Sequence, residues 1–333
     1  MLPDFLAPHG KLLEAGGISL AALFAVPATR AKERLIRTYL APLSLYLPTR
    51  LRYYVTGLVK KRRNPSGGLK LNYPLDSNET APAFRRIKEL GLKPWWGRKG
   101  AVCISHDVDN DEGFDFVPAM AALDGKYGLR TTFNFLTHDQ YRVGGDLTEG
   151  LVRDGFEVGL HGYTHDQGFA FRSKAEITNK LSVSAAALGL KDAGYRSPAL
   201  SLSEDLFKAL GEQQFLYDSS LQIASPFYWS VKLPYPCYLP KYGLWELPLM
   251  VQDDTYFRDS HSTPQEALAS IGRLLDQTAD INGVFVINMH PHLIRSRVQF
   301  YEDFLKLIAS RTDVAVRTSK EVIEYAKSHT HHG

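Results

Sequence analysis

Only two of the 333 residues are cysteine, Cys103 and Cys237. They lie far apart and without metal-like spacing, so neither a disulfide framework nor a thiolate zinc site is supported, and both read as small buried apolar residues. Long apolar runs are lacking as well. The stretch 18–28 falls short of the roughly 20 residues that cross a bilayer, and no basic leader precedes it at the Met-Leu-Pro-Asp start. The expectation is a cytoplasmic chain. Internal repeats and low-complexity segments are also missing. With 44% hydrophobic and 23% charged residues the sequence sits in the globular range, long enough for one large core or two domains.

Neither sign of charge dominates the whole, at +3, yet the distribution is uneven. Residues 1–75 carry 12 Lys/Arg against 3 Asp/Glu, which leaves 27 against 33 for the remainder. Within the basic part, residues 49–63 read as a helix with Leu51, Val55 and Leu58 on one side and Arg50, Arg52, Lys60, Lys61, Arg62 and Arg63 elsewhere. Such a helix can lie peripherally on an anionic inner-membrane surface. The plainer reading is a solvated helix docked on its own domain by the same apolar residues. No nucleic-acid motif accompanies the charge, so no nucleic-acid partner is expected.

From Ala101 onward, short β-branched or apolar runs alternate with helical periodicity, the pattern of a parallel α/β architecture. Strands are expected at 101–105, 131–135, 157–160, 193–196, 215–218, 284–289 and 314–317, and seven strands favour a barrel over an open sheet. Thr263-Pro264-Gln265-Glu266 has the order of a capping box with proline at the first helical position. Asp146, Ser203 and Ser319 are further expected caps. Before Ala101, Pro42, Pro48, Pro65, Pro74, Pro82 and Pro94 cut the chain into short helices. The division expected is a basic, mainly helical extension over 1–97, a barrel over 98–328 and a tail from 329 containing His329, His331 and His332.

Polar clusters stand at the ends of five of these strands. His161-Gly-Tyr-Thr-His165 follows strand 157–160; histidines four apart on a turn entering a helix project to the same side and can reach one ion. Taken alone the pair also reads as a surface coincidence, but barrel enzymes build their sites at carboxyl ends of strands. Ser105-His-Asp107-Val-Asp109 follows strand 101–105. Its alternating carboxylates allow one to bind metal while the other handles a proton, or form an acidic loop capping the next helix. Arg196-Ser-Pro198, Tyr217-Asp218-Ser219 and Asn288-Met-His290-Pro-His292 repeat the placement. Each has a bland reading as surface arginine, turn aspartate or core histidine; the five together are the signature of an active site.

These clusters, in content and order, resemble the five motifs of the polysaccharide deacetylases with the NodB homology domain, carbohydrate esterase family four, over about residues 98–326. The resemblance implies a distorted (β/α)7 barrel of the NodB-homology type behind an N-terminal mainly helical extension. It implies Asp107 as catalytic base and Asp109, His161 and His165 as ligands of a divalent metal, with zinc first and cobalt, manganese, nickel or iron as other candidates. The third motif matches at Arg196 and Pro198 but has Ala199 where the family has an aromatic residue. The fourth is met by Asp218, with aromatics only later at Phe227, Tyr228 and Trp229, and the fifth by His290, for which His292 is a rival.

The mechanism implied has Asp107 accepting a proton from water while Arg196 keeps it ionised. His290 donates to the leaving amine, Asp218 orients His290, and a main-chain donor at Ala199 serves the oxyanion. The expected function is removal of an N-acyl, chiefly acetyl, group from an amino sugar, on a glycan or a nucleotide- or lipid-linked polysaccharide precursor. Two other readings stand beside it: hydrolysis of a small non-sugar amide, since a fold does not fix the acyl acceptor, and a non-catalytic carbohydrate-binding barrel.

Overall fold

The computed structural model describes residues 1–15, 81–223, 230–231 and 233–330. The basic helix expected at 49–63, the aromatics 227–229, and His331 and His332 lie outside the described residues.

The strands are β1 (Gly100–Val108), β2 (Thr132–Leu136), β3 (Glu157–Gly162), β4 (Gly194–Tyr195), β5 (Tyr217–Asp218), β6 (Gln222–Ile223), β7 (Ser230–Val231), β8 (Cys237–Leu239), β9 (Leu244–Glu246), β10 (Val251–Gln252), β11 (Val284–Asn288) and β12 (Val314–Val316). The main sheet runs β10-β11-β1-β2-β3-β4-β5-β9-β8, parallel throughout except for the β8–β9 pair. Its two ends are joined by one piece of chain. Leu247 and Leu249 donate their amides to Asp218 and Leu221 on the β5 side, at 2.8 Å each, while Met250 donates to Val286 of β11 at 2.9 Å. The segment from β9 to β10 thus closes the curl, and the result is a distorted (β/α) barrel.

The strand expected at 314–317 is present as β12, beside β1 at the margin of the sheet. β12 pairs only with the first part of β1, Gly100–Val102, whereas β2 pairs with Ser105–Val108 of the same edge. The closing segment 244–252 was missed because Pro248 interrupts it. A proline lacks the ladder donor, and a run broken by one does not read as a strand.

β1 shows how the barrel positions its chemistry. All nine residues are buried, but the two faces differ. Val102, Ile104 and Val108 join the apolar layer under the outer helices. Ala101 and Cys103 pack inside the barrel, followed on the same face by Ser105, Asp107 and Asp109, because side chains alternate along a strand. The inward stripe therefore turns from apolar to acidic towards the carboxyl end. β11 repeats the gradient with Val284 and Val286 inside, followed by Asn288.

Caps fix where the helices begin. Thr263 forms the expected capping box with Glu266, and Ser203 caps Glu204–Glu212. Two expectations shift by a residue or two: Thr318, with Glu321, caps Ser319–Ser328 in place of Ser319, and Gly144 precedes Gly145–Arg153, leaving Asp146 in the first turn. The bottom of the barrel is covered by the helices Ala7–Ala15 and Ala81–Glu89, whose Leu13, Phe84 and Ile87 are buried with Trp95 and with Leu6 of the turn before the first helix. The Met1 ammonium donates to the Tyr238 carbonyl at 2.7 Å, and Tyr238 returns a bond to the Met1 carbonyl at 2.8 Å. His329 ends the helix Ser319–Ser328, its ring 4.3 Å from that of Tyr325 and 5.4 Å from that of Phe5, so it belongs to this packing and not to a free tail. No helix among the described residues is long and apolar enough to cross a membrane.

Candidate metal centre

Three side chains meet at the carboxyl ends of β1 and β3. The Asp109 Oδ1 atom lies 3.2 Å from His161 Nε2 and 3.6 Å from His165 Nε2. His161 is the penultimate residue of β3 and is 2% exposed. Its Nδ1 faces the Arg196 carbonyl at 2.9 Å, which assigns the hydrogen to Nδ1 and turns the Nε2 lone pair to the centre. His165 is held from its backbone, whose N–H donates to Asp139 Oδ2 at 2.6 Å. Asn110, not either β1 carboxylate, caps the helix Asp111–Lys126 by accepting from Gly113 N at 2.8 Å. Asp109 is thereby left to the centre.

The residues fit a divalent cation on two counts. One ligand atom from each of Asp109, His161 and His165 falls within 4.8 Å of the others. Asp109 Oδ1 and His161 Nε2 are buried and make no hydrogen bond, and a buried lone pair left without a donor is costly unless a cation takes it. Two imidazoles and one carboxylate are also the donor set of a catalytic zinc site, which keeps positions open. Burial pushes the Asp109 carboxyl upward, but the surrounding imidazoles of His165, His290 and His161 outweigh it and hold the group far below the usual carboxylate range.

Asp107, one step lower on the same face, is 2% exposed and surrounded by donors. Asn134 Nδ2 reaches its Oδ1 at 2.8 Å, Asn288 Nδ2 its Oδ2 at 2.9 Å, and Arg196 Nη1 its Oδ1 at 3.4 Å. Arg196, 1% exposed, is itself locked by bonds from Nε to the Ser219 carbonyl and from Nη2 to Ser219 Oγ, both 2.8 Å, and from Nη1 to Ser105 Oγ at 2.5 Å. Burial raises the Asp107 carboxyl, yet the Arg196 guanidinium, with His161 and His290, brings it below its ordinary value.

His290 stands across the centre with Nε2 3.9 Å from Asp109 Oδ2. Its Nδ1 lies 2.6 Å from Asp253 Oδ1, and its backbone N–H donates to Asp253 Oδ2 at 2.8 Å. Against the opposing effect of burial, Asp253 and Asp109 raise this imidazole to about 10. His292 packs edge-on to His290 with ring centroids 5.6 Å apart and lacks an acidic partner of this kind.

Asp218 does not orient His290, and that expectation is corrected. Its carboxylate accepts from Ser220 Oγ and N at 2.7 and 3.0 Å and faces Glu246 in register across β5 and β9. Asp253 takes the place foreseen for it. The signal that would have found Asp253 is the apolar run 249–251 ending in Gln-Asp-Asp, the same strand-end pattern as the other clusters, hidden because Pro248 masked the strand. Ala199, the proposed main-chain donor, lies in the turn after Arg196 with φ 52°, followed by Leu200 at 54°. Two successive non-glycine residues in the left-handed region are uncommon and concentrate at functional sites.

No family model matches the sequence, and no curated protein matches it either. Solved structures do match in fold. A chain from Mycobacterium smegmatis, assigned as a polysaccharide deacetylase, shares 22% identity over 70% of this chain and 91% of its own, with a TM-score of 0.58. One from Pseudomonas aeruginosa PAO1 with the same assignment shares 13% over 70% and 93%, with a TM-score of 0.56. Puue allantoinase shares 14% over 71% and 94%, at 0.55. At these identities the likeness is one of fold.

Proposed function

We propose that this chain is a metal-dependent hydrolase that removes an N-acyl group, chiefly acetyl, from an amino sugar. The observation that carries the reading is the pairing, within one barrel mouth, of a carboxylate–imidazole triad with a separate buried carboxylate beside Arg196 and an imidazole bonded to Asp253. Asp109, His161 and His165 hold the ion, zinc by their chemistry, and the bound ion supplies Lewis-acid polarisation of the amide carbonyl and acidification of water.

Asp107 takes the proton of the attacking water, for which it must be ionised, and Arg196 keeps it so. The amide N–H of Ala199 donates to the oxyanion of the tetrahedral intermediate. An amine leaves poorly unless protonated. His290 delivers that proton, with Asp253 holding its ring and favouring its charged form.

The glycan substrate is supported by the order of the five sequence motifs together with the fold shared with chains assigned as polysaccharide deacetylases. A second reading, a small non-sugar amide, is favoured by one observation: the allantoinase matches the fold about as well. The test is acetate release from a panel of N-acetylated hexosamines, free, nucleotide-linked and lipid-linked, against small cyclic and linear amides. Turnover confined to the small amides overturns the glycan assignment. Wild-type turnover in His290→Ala overturns the assignment of the acid.

A further inference from the structure

A strand reading Thr-Phe-Asn-Phe-Leu gains nothing in packing from its central amide. Asn134 is 3% exposed, and burying an amide without a hydrogen-bond partner is costly. Its position is built for it. On the neighbouring strand β3 the facing residue is Gly159, where a Cβ would fall 2.3 Å from Asn134 Oδ1, so only glycine leaves room for the amide. The amide nitrogen is then spent on Asp107 Oδ1 at 2.8 Å.

Counting lone pairs shows what this does. Each carboxylate oxygen offers two acceptor positions. On Asp107, Oδ1 accepts from Asn134 and Arg196, and both positions are filled. Oδ2 accepts from Asn288 alone. The Asn288 amide cannot be turned over, because its Oδ1 accepts the Asp107 backbone N–H at 3.1 Å. One acceptor position, on Oδ2, remains.

We propose that Asn134 is a positioning residue that, together with Asn288, fixes the plane of the Asp107 carboxylate and leaves a single Oδ2 lone pair to take the proton. The inference rests on the assignment of Asp107 as the base. As the water oxygen bonds to the carbonyl carbon, the C=O π pair moves onto the carbonyl oxygen, the water's O–H bond breaks and the proton passes to Oδ2. Without Asn134 the carboxylate rotates about its Cβ–Cγ bond, and the acceptor no longer faces the water.

The experiment compares Asn134→Ala and Asn134→Leu with Asp107→Asn and the double variants in the full zinc-loaded chain, assayed on the N-acetylated amide turned over fastest. Asn134→Leu is close in volume and keeps the barrel filled if the alanine variant fails to fold. Expected are a kcat lowered about 10- to 100-fold, a KM within about twofold and wild-type zinc stoichiometry. In the Asp107→Asn background, replacing Asn134 changes the residual rate by less than about twofold, because the two residues act as one unit. Wild-type kcat in both Asn134 variants, or the same loss in the Asp107→Asn background, overturns the positioning role while leaving the base assignment intact. Wild-type turnover in Asp107→Asn alone removes the base assignment, and the inference with it.

Discussion

His290 and Asp253 are 37 residues apart in sequence, yet the imidazole Nδ1 and the carboxylate Oδ1 lie 2.6 Å apart in a buried contact. The same carboxylate accepts the His290 backbone N–H, so ring and main chain are gripped together. The pair exists because β10 and β11 run parallel and in register, which carries the loop after Gln252 alongside the loop after Asn288.

Asp253→Asn keeps the shape of this grip but removes the negative charge. We expect kcat to fall by about 10²-fold or more, with bound zinc unchanged. Steady-state kinetics beside metal analysis checks this, and a variant that loses its zinc and its rate together would mean that Asp253 acts through the metal ligands.

Metal should stabilise the chain. A cation that binds only the folded state at 100 times its Kd adds about 2.7 kcal/mol, read as a rise in Tm on adding zinc to chelator-treated protein. Asp109→Ala and His161→Ala should abolish the rise, and they also control for zinc held by C-terminal histidines. An undiminished rise in both variants would remove the triad from consideration.

Glu246 provides a pH dependence of stability. Its carboxyl is raised well above the ordinary value by burial and by the facing Asp218. Between the ordinary carboxyl range and that raised value the folded chain holds a proton that the unfolded chain has lost. The contribution is thus fully present at low pH and is lost as pH rises through the window. Glu246→Gln, neutral throughout, should gain stability relative to the parent between pH 5 and pH 8. Urea unfolding midpoints at both values measure the gap, and a gap independent of pH contradicts the assignment.

Close backbone approach makes Gly194 irreplaceable. A Cβ there would sit 2.1 Å from Tyr217 Cζ, and the ring is held by its hydroxyl bond to Glu157 Oε1 at 2.7 Å. Gly194→Ala should cost about 1 to 3 kcal/mol, as overpacked cores do. Thermal unfolding tests it, and an unchanged Tm would mean that the ring can move aside.

The sequence by itself determined the parallel α/β pattern, most of the strands from Ala101 on, and the paired histidines and acidic cluster of the candidate metal site. All three are local matters: alternation along a strand, a four-residue histidine spacing, and polar residues where an apolar run ends. Only the tertiary structure decided which carboxylate serves which imidazole. Asp218 and Asp253 are equally plausible partners for His290 along the chain. The choice falls to Asp253 because the segment 244–252 leaves the β5 side for β11 between Leu249 and Met250, a change of partner that no local pattern records. For the same reason Asn134 was legible as a strand residue but not as a donor to Asp107. That role depends on a neighbouring strand bringing Gly159 opposite it, and strand register is settled by packing across the whole barrel.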